Sequence, residues 1–365
     1  MKAKAIVAAL EAFAPLVYQE SYDNSGIQCG DPDAEVTGIL LTLDITEAVI
    51  TEAVERGCNM VVAHHPLIFS GLKKVTPATP VGRALLQAIR AGVVLYAAHT
   101  NLDNMRWGVN AILAEKLGLE RTTVLSGKRD TLRQLYAFVP HNAANAVRDA
   151  LFAAGAGCID KYDECSYSSE GQGTFRPREG ANPTIGEQGR RERVAETKIE
   201  VLVQQHLESA VLKALIEAHP YEEVAYGFIG LQNANQEMGA GMVGELKEAM
   251  SPEAFLKMLK AALGAGCIRH TALCRAEVRK VAVCGGSGSF LLNEAISAGA
   301  DVLVTADYKY HQFFDADNRI VIADPGHWET EQFVPELMAR MLREKFPTFA
   351  VLLSRVDTNP VHYFI

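Results

Sequence analysis

Glu52-Ala-Val-Glu-Arg-Gly57-Cys-Asn-Met-Val-Val-Ala63-His64-His65-Pro66 decides how the chain is read. The stretch closes a helix expected over Ile45 to Arg56, turns at Gly57, runs through the short apolar strand Met60 to Ala63 and delivers two histidines at the strand's end. A strand with no polar alternation belongs in a sheet covered by helices on both faces, which points to a mostly parallel α/β arrangement. Outward from it, Val36 to Thr42 reads as the preceding strand, Val81 to Ala91 as the next helix and Val93 to Ala98 as the strand after that. Ahead of these, the apolar stretch after Met1 is broken by Glu11 and lacks a cleavage site, so it reads as an amphipathic helix rather than a signal peptide.

The same order returns late in the chain. Lys280 to Cys284, Val302 to Thr305 and Arg319 to Ala323 read as strands, with helices expected over Phe290 to Ala298 and Thr330 to Lys345. Glu294-Ala-Ile-Ser-Ala-Gly299-Ala-Asp-Val-Leu-Val-Thr305 aligns without gaps on Glu52 to Ala63. Two related halves packed face to face would produce this return, although any helix, glycine, strand unit shares the grammar. From Asp130 to about Asn233 the pattern shifts to strand (Arg133 to Val139), helix (Ala143 to Ala154), strand (Lys198 to Val203), helix (Leu207 to Ala218) and strand (Val224 to Ile229), a separate α+β module. Its segment Ser166 to Gly189 is polar and glycine-rich, and Ser169 to Gly186 within it holds too many glycines for a regular element and is expected as a long loop.

Three stretches place metal-ligand residue types directly after expected strands, where the loops of an α/β sheet converge on binding sites. His64 and His65 follow the first, and two neighbouring imidazoles at a strand end can each serve a different ion. His99-Thr-Asn-Leu-Asp103 follows the second, with Asp103 as a hard oxygen ligand or a turn residue and His99 as a ligand or its support. Asp324-Pro-Gly-His327-Trp-Glu-Thr-Glu331 follows the third, and four-residue spacing puts His327 and Glu331 on one helical face. A carboxylate able to bridge two ions completes a dinuclear set. Asp307 and His311 follow Val302 to Thr305, with Asp307 aligned on His65, and qualify as supporting groups or proton carriers. Cys284-Gly-Gly-Ser-Gly-Ser289 lacks the lysine and spacing of a P-loop and reads as a tight turn, His219 as structural, and Arg190-Arg-Glu-Arg193 as a solvated charge run.

Composition excludes other classes. With 48% hydrophobic and 22% charged residues the chain is neither disordered, collagenous nor coiled-coil. No apolar run reaches the roughly 18 to 20 residues of a membrane span. A net charge of −9 argues against a general nucleic-acid or anionic-membrane surface. Seven cysteines without a CxxC pair, mostly beside apolar residues, read as reduced buried thiols and place the chain in the cytoplasm.

Taken in order, Asp23-Asn-Ser-Gly-Ile-Gln-Cys-Gly30, Ala63-His-His-Pro-Leu67, Ala98-His-Thr-Asn-Leu-Asp103, Thr305-Ala-Asp-Tyr-Lys-Tyr-His311 and Asp324 to Glu331 span nearly the whole chain. On these motifs the sequence resembles the GTP cyclohydrolase 1 type 2 homologue family, the interacting-factor-three-like proteins with a dinuclear metal centre. Ala306, where the family usually has glycine, and Ser25, where a larger apolar residue is common, depart from the pattern without touching a proposed ligand. The resemblance implies two related α/β domains, 1–127 and 236–365, facing across a dimetal cleft, with a ferredoxin-like insert at 128–235 similar to PII and divalent-cation-tolerance proteins. It further implies a toroidal homohexamer and two divalent ions per chain, one held by His64 and Asp103, the other by His65 and His327, with Glu331 bridging. Three histidines and two carboxylates suit zinc, and manganese and iron accept such sets as well. The activity implied is metal-dependent hydrolytic opening of a purine nucleotide ring, with His99, Asp307 or His311 carrying protons. Phosphoester hydrolysis and a non-enzymatic metal-binding or regulatory scaffold are the alternatives, and a nucleotide or phosphorylated small molecule is the expected partner.

Overall fold

Side-chain caps and left-handed glycines set the elements of the first half. Thr46 Oγ1 accepts from Val49 N ahead of the helix Glu47–Glu55, and Thr79 Oγ1 accepts from Gly82 N ahead of Pro80–Ala91, whose proline sits where no backbone N–H is needed. Gly57, at φ 70°, ends the first of these helices. The chain then enters Met60–Ala63, fully buried on both faces. The computed structural model describes residues 1–364. These form two compact units, one of residues 1–127 together with the chain from 237 onward, the other of 128–236.

The first unit contains two sheets. One has the order Gly26–Cys29, Val94–Ala97, Met60–Ala63, Ile39–Thr42, Val351–Leu353, parallel except at its first strand. The other runs Arg269–His270, Val321–Asp324, Val302–Ala306, Val278–Ser287, Asn235–Met250, Leu119–Lys128, with a parallel centre. Sheet membership crosses the sequence boundaries, because Leu119–Lys128 lies in the second sheet and Val351–Leu353 completes the first. Likewise Val334, Met338 and Leu342 of the late helix Val334–Lys345 pack into the core of the first sheet.

The internal repeat extends to individual hydrogen bonds. Cys58 N donates to Ala53 O at 2.8 Å, and Ala300 N donates to Ala295 O at 3.0 Å. Asn59 Oδ1 accepts from Thr37 N at 2.8 Å, as Asp301 Oδ2 accepts from Arg279 N at 2.9 Å. Val94 N bonds Asn59 O in the first half and Val321 N bonds Asp301 O in the second. The gapless alignment therefore marks equivalent turns, each with a left-handed glycine, Gly57 and Gly299.

The second unit is an antiparallel sheet of order Ser166–Phe175, Glu192–Gln204, Leu132–Pro140, Tyr226–Leu231, with helices Ala144–Ala153 and Glu208–Ala218. The chain order strand, helix, strand, strand, helix, strand is that of a split βαβ module. Its own core joins Leu135, Val147, Leu151, Val201, Val211 and Leu215.

Three expectations need correction. Ser166–Phe175, read as part of a loop, is a strand paired along its length with Glu192–Gln204. Gly173 serves close approach, since a Cβ on it would stand 1.9 Å from Glu196 Oε2. The helix expected over Thr330 to Lys345 is two, His327–Glu331 and Val334–Lys345, the second restarting with Pro335 in its first turn. The seven cysteines are free thiols, but Cys58 and Cys284 alone are buried and Cys158 and Cys267 are exposed. Flanking apolar residues overstate burial where a chain turns at the surface. Among the described residues no helix is long and apolar enough to cross a membrane.

Candidate metal centre

Strand ends of both sheets in the first unit deliver the candidate ligands to one place. His64 and His65 leave Met60–Ala63, His99 and Asp103 follow Val94–Ala97, and His327 and Glu331 begin and end the short helix after Val321–Asp324. Three overlapping groups of side chains have ligand atoms within 4.8 Å of one another: His64, His65 and His99; His65, His327 and Glu331; and His64, Asp103 and Glu331.

Each imidazole is held by its Nδ1. His64 Nδ1 donates to Ala98 O, His65 Nδ1 to Asp44 Oδ1, His99 Nδ1 to Asp23 Oδ1 and His327 Nδ1 to Asp307 Oδ2, all at 2.7 Å. All four partners are acceptors, so one ring proton of each imidazole is fixed on Nδ1 and Nε2 is the nitrogen left to face an ion. That is how a metal-ligating histidine is usually oriented.

Glu331, buried to 4% exposure, divides its two oxygens. Oε2 lies 2.9 Å from His65 Nε2 and 3.0 Å from His327 Nε2, while Oε1 lies 3.8 Å from His64 Nε2, itself 3.5 Å from Asp103 Oδ1. His65 Nε2 and His327 Nε2 are 3.4 Å apart. Ligands about 2.1 Å from a tetrahedral ion stand about 3.4 Å from each other, so these separations match two ligand sets sharing one carboxylate.

The residues fit a cation on a second ground. His64 Nε2 and Asp103 Oδ1 are buried and have no hydrogen-bond partner, an arrangement that costs about 1–3 kcal/mol per group unless something satisfies them. Burial, together with Glu331 nearby, pushes the Asp103 carboxyl up to about 7. Burial pulls the other way on His65 and His327, but the carboxylates Asp44 and Asp307, with Glu331, raise them to about 9 and about 11. Burial raises Asp23, and bonds from His99 and Thr100 overcome it and hold the carboxyl well below its usual range.

Sequence reasoning missed two supports. Asp44 lies just past the strand Ile39–Thr42, and its Oδ2 accepts from Thr358 Oγ1 at 2.6 Å; an aspartate before a threonine-capped helix carries no signal of its own. Of the tight turn expected over Cys284 to Ser289, Cys284 to Ser287 are instead the end of the strand Val278–Ser287, and they back the Glu331 carboxylate: Gly286, at φ 58°, leaves room that a Cβ would fill at 2.4 Å from Glu331 Oε1. Its N–H donates to Thr330 Oγ1. Of the expected proton carriers, His99 and Asp307 adjoin the cluster, whereas His311 is exposed with its ring against Tyr310 and Phe314 and is not brought there. His219 is structural, donating through Nε2 to Phe138 O, and Arg190 pairs with Glu192 at the surface. A cavity of about 400 Å³ opens on His65, His327 and Asp307, with Arg269 and Trp328 in its wall.

Fold and site together define an α/β protein whose two related sheets converge on a histidine and carboxylate cluster suited to metal ions. The chain belongs to the Duf34/NIF3 (NGG1p interacting factor 3) family, whose model matches residues 1–360. It is 39% identical over 360 residues to the GTP cyclohydrolase 1 type 2 homolog of Halalkalibacterium halodurans, covering 97% of each chain. The protein of the same name from Bacillus subtilis is 39% identical over 361 residues, covering 97% of this chain and 96% of that one. Among solved structures, a Bacillus cereus protein related to NIF3 superposes with a TM-score of 0.89 at 38% identity, covering 100% of this chain and 99% of that chain.

Proposed function

We propose that this chain is a metal-dependent hydrolase holding two divalent ions, zinc in the first instance. His64, Asp103 and Glu331 Oε1 would hold one ion, and His65, His327 and Glu331 Oε2 the other. The observation that supports this most directly is the set of four imidazoles fixed through Nδ1 with Nε2 turned inward around a divided carboxylate. Ions bound there would supply the means to acidify a water and to polarise the group under attack. The chain's own residues do the rest. Asp44 and Asp307 keep two rings in register, and His99, held by Asp23, is the remaining imidazole beside the cluster and the candidate proton carrier. Arg269, in the wall of the cavity that opens on His65 and His327, is paired with the buried carboxylate of Asp324. The printed name of the relatives directs the choice of substrate to GTP, with phosphoesters as the other class that two ions would suit. A homohexamer and a cytoplasmic location are part of the same reading and rest on the family resemblance and composition.

Elemental analysis of protein purified without chelator, wild type beside His65→Ala, Asp103→Ala and Glu331→Ala, tests the reading. About two ions per chain, fewer in each variant, followed by metal-dependent turnover of GTP or a phosphoester, is the expected outcome. Wild type that takes up no zinc, manganese or iron would overturn it. Metal uptake without turnover across that screen would replace the hydrolase with a metal-binding scaffold.

A further inference from the structure

A cavity of about 680 Å³ lies in the unit formed by 128–236 and is lined by residues of that unit alone. That volume is in the range of small-molecule sites. Its floor is the antiparallel sheet, through Phe138, Glu196 and Lys198, and its walls include Phe175 and Tyr221, whose rings are 5.9 Å apart. The segment after Phe175 forms the roof and is fastened to the opposite wall, Asn182 N donating to Glu222 Oε1 at 2.9 Å and Thr184 Oγ1 to Pro220 O at 2.6 Å.

Glu196 is the anomaly in this cavity. It is 8% exposed, yet no cation pairs with it: Lys198, two residues along the same strand, bonds Glu200 instead, at 2.9 Å. Among the described residues the donor to its carboxylate is Tyr221 Oη, 3.2 Å from Oε1, and none of them donates to Oε2. Although the residue is largely buried, its carboxylate keeps contact with the cavity, where a donor on a ligand can meet it. The strand opposite keeps room for it, because Gly173 has no side chain where Oε2 lies. Arg176 and Arg178 line the same cavity, and neither guanidinium has a carboxylate partner. The cavity thus offers aromatic walls, a carboxylate that reaches into it and two exposed arginines without a carboxylate partner among the described residues.

We infer that this cavity binds a phosphorylated planar heterocycle of the guanine type. Guanine presents two parallel N–H donors, N1–H and the N2 amino group, which match the two oxygens of one carboxylate. Adenine turns a bare ring nitrogen to the same place, which the carboxylate repels. The base is held against Phe175 and Tyr221, and the phosphate is met by Arg176 and Arg178. The site is separate in residues from the metal cluster and does not depend on the function proposed for it.

The test is calorimetric titration of the whole chain, stripped of metal by chelator, with GMP and with AMP. GMP is expected to bind at least about tenfold more tightly than AMP, the difference made by one charge-assisted hydrogen bond pair. Glu196→Gln removes the charge and is expected to abolish that preference. Gly173→Ala keeps every charge and displaces the carboxylate, and is expected to weaken GMP about tenfold or more. Arg176→Ala with Arg178→Ala is expected to weaken GMP while guanosine binding stays unchanged. Thermal unfolding confirms that each variant is folded, and any that is not is replaced by Tyr221→Phe, which removes the carboxylate's one protein donor. Equal binding of GMP and AMP, no binding of either to wild type, or GMP binding indifferent to Glu196→Gln overturns the inference. GMP binding that appears only on metal loading and vanishes in His65→Ala would assign the nucleotide to the metal cluster instead.

Discussion

The two sides of Glu331 are built differently. On the Oε1 side, His64 is fully buried and its Nε2, like Asp103 Oδ1, meets no hydrogen-bond partner. On the Oε2 side, His65 and His327 both reach the carboxylate, both are backed by a further carboxylate, and the His327 side chain is 39% exposed at the edge of a cavity. The open side can stay satisfied without an ion, as protonated imidazoles between carboxylates. On the closed side the nitrogen and oxygen are left bare, and only a proton on Asp103, whose carboxyl is raised to about 7, can stand in for an ion. The closed position should therefore keep its ion, and the open one exchange it and meet the substrate.

The severest way to break this comparison is Glu331→Gln, which serves both sides at once. Metal content is expected to fall from about two ions per chain to about none, measured by elemental analysis. A variant retaining one ion would show that the carboxylate does not bridge. His327→Ala should remove one ion and His64→Ala the other, and in wild type a chelator should release the His64 ion at least about tenfold more slowly, consistent with the rarity of local opening around a buried site. Two ions leaving at one rate would erase the distinction. Next in size, Asp44→Asn and Asp307→Asn should weaken the open position by about 10- to 100-fold in metal titrations and leave the closed one unchanged.

The smallest effect concerns pH. In metal-free protein His65 and His327 are raised above the ordinary 6.5 to about 9 and about 11, their flanking carboxylates outweighing burial. A raised imidazole stabilises the fold fully below 6.5 and loses that contribution as pH climbs through about 9 and then about 11. Chelated protein should thus lose thermal stability from neutral to alkaline pH. Metal-loaded protein should gain over the lower part of the range, because protons and ions compete for the same nitrogens. Parallel slopes in the two forms would contradict the protonated arrangement.

Much of this was legible in the sequence because strand ends and ligand types coincide. His64, His65, Asp103, His327 and Glu331 each stand within a few residues of a short apolar strand, and the helix spacing of the last two was enough to converge them. The gapless match of Glu52–Ala63 with Glu294–Thr305 located equivalent turns down to Asn59 and Asp301. What stayed hidden depends on distant partners. Asp44 gains meaning only from His65 and Thr358, and Gly286 only from Glu331. Ser166–Phe175 has a loop's composition, but pairing along its length with Glu192–Gln204, against which Gly173 must stay bare, makes it a strand. The exchange of Leu119–Lys128 and Val351–Leu353 between sheets has no local signal, since sheet order is settled by which edges remain to be paired.

His65 and His327 touch across 262 residues of chain. At about 5–20 residues per second of synthesis, the first half of the cluster leaves the ribosome roughly a quarter to a full minute before the second. Throughout that interval His64, His65, His99 and Asp103 form an unfinished ligand set, and the sheet beside them lacks Val351–Leu353. An ion caught early would be held by half its ligands and easily lost. Lasting metal capture would thus be a late event in the life of the nascent chain, and a molecule cut short before His327 would carry four of the six cluster residues without the carboxylate that joins the two sets.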